Sequence, residues 1–280
     1  MEPNQVKIVA DSSADLIEFT GLPFAVAPLK ICTAAKEYVD DAALDVSGMV
    51  EDLAAYKGTS SPSCPNVNDW LLAFGEAQYI FCVTITGTLS GSFGAARTAA
   101  RTYEEKYPDR RVFVLNSLST GPECVLMIEK IRELVLAGKD FDEVRDGVVA
   151  YTEQTGLIFM LESMKNLANN GRVSPLVAKM AGLLGIRVVG KASDKGDLEP
   201  LGKLRGEQRA LESMVKHMKD AGLKHGRVRI AHCQNVTAAQ KLAAMLEREL
   251  PKVTADISAC RGLCSFYAER GGLLVGFEKM

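Results

Sequence analysis

The chain has 280 residues, with 33 Lys+Arg against 35 Asp+Glu, 47% hydrophobic and 6% aromatic residues, enough for one large or two medium domains with real cores. That composition excludes a disordered or collagen-like chain, and a formal net charge of -2 with both signs scattered offers no basic face for nucleic acid or for an anionic membrane surface. No window approaches the roughly 20 apolar residues that a membrane-spanning helix needs.

The opening MEPNQVKIVADSS has no basic segment ahead of an apolar one, so no secretory signal is expected and the cytoplasm is the expected compartment. Short apolar or β-branched runs at 6–10, 24–31, 79–84 and 112–115 predict strands, alternating with helices over 46–55, 66–75, 94–105 and 122–137, the last stopped by Gly138. That alternation predicts an α/β fold with a parallel sheet and crossover helices. A helix over 140–153, a buried strand beginning at Thr155, a short helix over 164–169, a Gly171 stop and a helix from Pro175 to Leu184 follow. From about residue 186 the rhythm changes to strands at 186–189, 228–232, 254–259 and 273–277 with long amphipathic helices over 206–221 and 236–250. The segment 192–202 reads as a turn or hairpin loop. Two α/β domains are therefore expected, 1–158 and 159–280, the second with its own sheet. The seven cysteines are odd in number, widely spaced and set among apolar neighbours, which predicts reduced thiols, mostly core residues, and no metal site.

Three predicted strands end in hydroxyl- and glycine-rich loops: Asp11–Ser13, Thr84–Ser92 and Asn116–Gly121. In an open parallel sheet the carboxyl ends of the strands share one edge, so these loops converge on one crevice where such folds bind ligands. Helices begin just after Ser92 and at Pro122, adding unpaired N–H groups. A fourth segment, 58–66, is dense in hydroxyls and held by two prolines. Neutral donors and helix ends of this kind suit a carboxylate or phosphate. The bland alternative is that these hydroxyls only cap helices and close turns. No Walker A motif is present, and Gly87, Gly91 and Gly94 lack dinucleotide-fingerprint spacing. A serine hydrolase using Ser90 is the enzymatic alternative, although Gly-Thr-Leu-Ser-Gly departs from the nucleophile-elbow pattern. A dihydroxyacetone phosphotransferase-like domain is another.

In order along the chain, the motifs resemble those of the DegV family of bacterial fatty-acid-binding proteins. Asp11-Ser12-Ser13-Ala14-Asp15-Leu16 is similar to its opening motif, Thr59-Ser60-Ser61-Pro62-Ser63 to its Thr-Ser-Gln-Pro-Ser arm, and Thr88-Leu89-Ser90-Gly91-Ser92 to its Gly-Leu-Ser-Gly-Thr turn. Asn116-Ser117 stands for an Asp-Ser pair, and Asn170-Gly171-Arg172-Val173-Ser174 resembles Gly-Gly-Arg-Ile-Ser. The resemblance implies a carrier rather than an enzyme, with a tunnel between two domains burying one long-chain fatty acid and no other cofactor. It also implies an acid carboxylate exposed to a fatty acid kinase. Carried over, Thr59, Ser90, Gly91 and Ser92 are expected at the carboxylate with Arg172 as charged partner, and Ser12 and Ser117 in the surrounding network. The family's His-x-Gly-Pro-Gly segment is replaced here by Cys264–Gly272, so either Ser265 or Tyr267 replaces the histidine's hydrogen bond or part of the head-group site is lost. Expected tunnel liners are Phe93, Phe159, Leu161, Met164, Leu167, Leu183, Leu184 and Ile186. Burying about fifteen methylenes at roughly 0.8 kcal/mol each supplies about 12 kcal/mol before association costs, so the tail dominates affinity and the head group fixes register.

Overall fold

In the computed structural model, which describes residues 1–174, 177 and 185–279, strands β1 (Val6–Asp11), β2 (Phe24–Ala27), β6 (Tyr79–Thr84) and β7 (Arg111–Asn116) form an all-parallel sheet of order β2-β1-β6-β7. Both faces are covered, as parallel sheets require. Val6, Ile8, Ala10, Phe81 and Val83 pack on α4 (Pro122–Leu136) and α5 (Phe141–Thr152). Their strand neighbours Val9, Ile80 and Cys82 point oppositely onto α2 (Val67–Phe74) and α3 (Ser92–Lys106). Helix starts follow local chemistry: Asn66 with Asp69, and Asp140 with Glu143, form reciprocal capping boxes, and Asp45 caps α1 (Val46–Ala55).

The second sheet is six-stranded, β10-β9-β8-β13-β11-β12, and mixed: only β11 and β12 run parallel. Its strands are β8 (Thr155–Leu161), β9 (Ile186–Ala192), β10 (Leu198–Arg205), β11 (Gly226–His232), β12 (Val253–Ala259) and β13 (Leu273–Glu278). Ile158 and Met160 face the outer helices α7 (Glu207–Asp220) and α8 (Val236–Glu249). Leu157, Phe159 and Leu161 face the first half of the chain, where they share a core with Ile31, Tyr38, Met49 and Val50. Helix α4 is wedged between the sheets and packs on β13, β11 and β8. Its Glu129 takes both prongs of Arg229 at 2.8–3.1 Å, while Arg227 pairs with Glu278 at 2.9 Å and also reaches Glu133 and Glu129.

Several expectations need correction. The run 24–31 is two strands in different sheets, because Pro28 lacks the N–H a continuous strand would use. Its second part is β3 (Lys30–Cys32), the middle of a small sheet with β4 (Glu37–Val39) and β5 (Ser61–Ser63). The segment read as a loop over 192–202 holds a tight turn around Gly196, after which β10 starts at Leu198. Pro200 and Gly202 disguise the strand, but it lies at a sheet edge and bulges there. A boundary after residue 158 would cut β8 in half; the whole strand belongs to the second sheet, so the sheets part between α5 and β8. The helix expected over 175–184 lies outside the described residues. No helix among the described residues is long and apolar enough to cross a membrane.

Candidate functional site: an apolar cavity with a polar mouth

The loops after the first-sheet strands do converge, but their hydroxyls serve a buried acid first. Asp11, at the end of β1, is 1% exposed; it accepts from Ser13 Oγ at 2.5 Å, Ser92 Oγ at 2.6 Å and the Ile85 N–H at 3.0 Å. A carboxylate in such a place requires these donors. Ser92 is therefore committed to Asp11. Ser12 accepts from the Leu29 N–H at 3.0 Å, and Ser117 donates to the Ser119 carbonyl at 3.1 Å on the wall of a separate cleft beside Glu123 and Lys279. Each of these three hydroxyls is already bonded within the protein, Ser117 locally and Ser12 and Ser92 to distant partners.

Behind the loops, between the two sheets, lies an apolar cavity of about 50 Å³. Its floor is the second sheet: Leu157, Phe159, Leu161, Leu198 and Leu274. Its roof is α9 (Gly262–Ala268), through Leu263, Cys264, Tyr267 and Ala268, and its flank is Ile85, Leu89 and Thr120. Three expected liners, Phe159, Leu161 and Leu167, are there. Met164 is buried in the adjoining core without lining the cavity, Ile186 is half-buried at the start of β9, and Phe93 lies against the Arg97 guanidinium outside it. Leu183 and Leu184 lie outside the described residues. Helix α9 was not legible locally. It is seven residues long, and its first N–H groups, Gly262 and Leu263, donate at 2.8 and 2.9 Å to Asp40, a fully buried carboxylate more than two hundred residues earlier.

The apolar cavity continues into a second one that shares Ile85, Leu89, Leu263 and Tyr267 and is half polar. This mouth adds Ser63, Cys64, Ser90, Gly91 and Arg172. Gly91 permits the close approach: a Cβ there would stand 3.2 Å from Cys64 Sγ. Arg172 arrives through the Gly171 stop. Gly171 at φ +69 ends α6 (Lys165–Asn169), with Gly171 N–H donating to Ala168 and Arg172 N–H to Leu167 at 3.0 and 2.8 Å, a Schellman ending. The turn sends the guanidinium onto the Leu89 carbonyl at 2.7 Å and the Asn170 carbonyl at 2.6 Å. Thr59 is exposed and outside the mouth lining; the arm contributes Pro62, Ser63 and Cys64 instead, at the end of β5, which pairs with β3. Of the two candidates for the missing histidine, Ser265 is spent on the Cys260 carbonyl at 3.1 Å and faces a different cleft beside α1. The Tyr267 hydroxyl is buried with no hydrogen-bond partner among the described residues, where cavity and mouth meet. Burial raises its pKa, against the pull of the nearby Arg172. None of the three histidines is among the residues that line the cavity or the mouth.

Asp15 sits where the roof helix meets the first sheet. It accepts from the Arg261 N–H at 2.8 Å, its second oxygen has no partner among the described residues, and burial pushes its carboxyl up to about 7. Burial also raises Asp11, Asp40 and Glu123. An acid with a raised folded pKa holds a proton that the unfolded chain has released, so stability is full below about pH 4 for this group and is lost as pH rises toward 7. Urea unfolding followed by the single tryptophan, buried Trp70, should show stability falling between about pH 4 and 8 by on the order of 2–4 kcal/mol. Asp15→Asn should flatten that slope; an unchanged slope would refute the assignment.

The DegV model, described as "Uncharacterised protein, DegV family", matches residues 5–279. A DegV domain-containing protein of Streptococcus pneumoniae is 42% identical over 276 residues, covering 97% of this chain and 98% of that protein. Among solved structures, a DegV family protein from Eubacterium eligens loaded with heptadecanoic acid superposes with a TM-score of 0.97 at 40% identity, over 98% of this chain and 100% of that one. The Streptococcus pneumoniae Fatty Acid Kinase (Fak) B3 protein loaded with linoleic acid gives 0.96 at 41% identity, over 98% and 99%. With its motifs, its two sheets and these full-length matches in agreement, the chain belongs to the DegV family.

Proposed function

We propose that this protein binds one long-chain fatty acid, its hydrocarbon tail in the apolar cavity and its carboxylate at the mouth, and presents that carboxylate to a fatty acid kinase. The observation that carries the reading is the junction of a nearly all-carbon cavity with a polar opening through four shared residues, Ile85, Leu89, Leu263 and Tyr267. The relatives loaded with heptadecanoic and linoleic acids support the ligand class, and the name of the second supports the kinase. In this reading Arg172 supplies the charge, Ser90 and the Gly91 turn at the α3 N-terminus supply neutral donors, and the Tyr267 hydroxyl supplies the donor at the cavity–mouth junction. The protein itself performs no bond chemistry.

Native mass spectrometry of the purified protein, compared with a denatured run, tests this. A lost mass equal to a fatty acid is expected. Arg172→Leu should lower retention about tenfold or more, and Tyr267→Phe by about tenfold, since a hydrogen bond to a charged group contributes about 1.5–3 kcal/mol. Trp70 fluorescence serves as the folding control. A wild-type protein that takes up no fatty acid, even when one is added, ends the proposal.

A further inference from the structure

Phe159 on β8 stands directly opposite Gly190 on β9 and Leu274 on β13. Directly opposed residues share a face of the sheet, so Gly190 sits on the face that carries Phe159 and Leu274, both of which line the cavity. Gly190 leaves a gap in that floor, and Phe159 fills it. A Cβ on Gly190 would stand 2.3 Å from Cζ and 2.6 Å from Cε2 of the Phe159 ring. The ring thus leans sideways over bare backbone, and the space above it remains cavity. Gly190 is not demanded by its backbone, since its φ is not positive. Phe159 is 1% exposed and lines the apolar cavity but not the mouth, which sets it away from the head-group end.

We propose that Phe159, held aside by Gly190, determines the length of acyl chain the cavity accepts. The inference rests on the fatty-acid reading and names its specificity. A close-packed floor does not yield, so raising the ring removes space that terminal methylenes would occupy. Each methylene denied burial lowers relative affinity roughly fourfold, and a difference of two carbons becomes about tenfold or more.

The test offers delipidated protein an equimolar mixture of myristic, palmitic and stearic acids and reads the bound ratio by native mass spectrometry. Gly190→Ala should shift the myristic-to-stearic ratio upward by about tenfold or more relative to wild type. Phe159→Leu, which removes ring volume, should shift it the other way. Gly202→Ala, with nothing within 4 Å of the added Cβ, should keep the wild-type ratio. The carbonyl of Glu199 lies 2.8 Å from a Cβ at position 190; if Gly190→Ala fails to fold for that reason, Phe159→Leu decides alone. A wild-type ratio in Phe159→Leu overturns the specificity role while leaving fatty-acid binding standing. A wild-type protein that binds none of the three acids overturns both.

Discussion

Asp40→Ala should lower stability by about 3–5 kcal/mol and abolish fatty-acid retention together. The carboxylate is fully buried and accepts from both Gly262 and Leu263 N–H groups. Removing it strands two buried donors and leaves Arg261 with one acidic neighbour fewer, and unpaired buried polar groups are costly. The loss reaches the cavity because the helix it anchors carries Leu263, Cys264, Tyr267 and Ala268, the whole roof. Asp40→Asn retains one acceptor oxygen and should fall between wild type and alanine. Urea unfolding by Trp70 fluorescence and native mass spectrometry on the same samples check the pairing of effects. Full retention in a destabilised Asp40→Ala protein would show that the roof forms without its anchor.

Glu129→Ala is the second large effect, again about 3–5 kcal/mol. Glu129 is the bidentate acceptor of Arg229, with side-chain exposures of 11% and 17%, and its loss leaves Arg229, among the described residues, with only the exposed Asp256 as a partner. Both arginines of β11 reach α4, the helix that also packs under the first sheet, so the ion pairs tie the two sheets together. The expected signature is loss of coincidence between probes: Trp70 reports the first sheet's core, and far-UV circular dichroism reports the whole chain. Coincident transitions with an unchanged midpoint would show that apolar packing alone holds α4 in place.

Two of the proposed roles at the mouth, those of Arg172 and Tyr267, differ in how legible they were. The Arg172 position follows from a local signal, because a glycine after a helix adopts the left-handed turn that redirects the next residue, and Gly171 does so here. Tyr267 was one of the options that the chain alone left open, beside Ser265 and a partial loss of the head-group site. Only the fold shows that Ser265 is already bonded to Cys260 while the Tyr267 hydroxyl has no partner among the described residues. Thr59 and Ser92 show the opposite failure. Both match family motifs by order, yet one lies outside the mouth and the other is consumed by Asp11. A hydroxyl's type is written in the chain, but its availability depends on which buried acids compete for it.

Periodicity, caps and punctuation determined the α/β class, most helices and strands to within a residue or two, the Gly171 stop and the convergence of the strand-end loops, because those features arise from neighbours a few residues apart. The tertiary structure alone decided the edge strand hidden by Pro200, the roof helix capped by Asp40, the fate of each hydroxyl and the cavity floor shaped by Phe159 over Gly190. Each of these depends on groups brought together from distant positions, where desolvation and close packing, rather than local propensity, select the conformation.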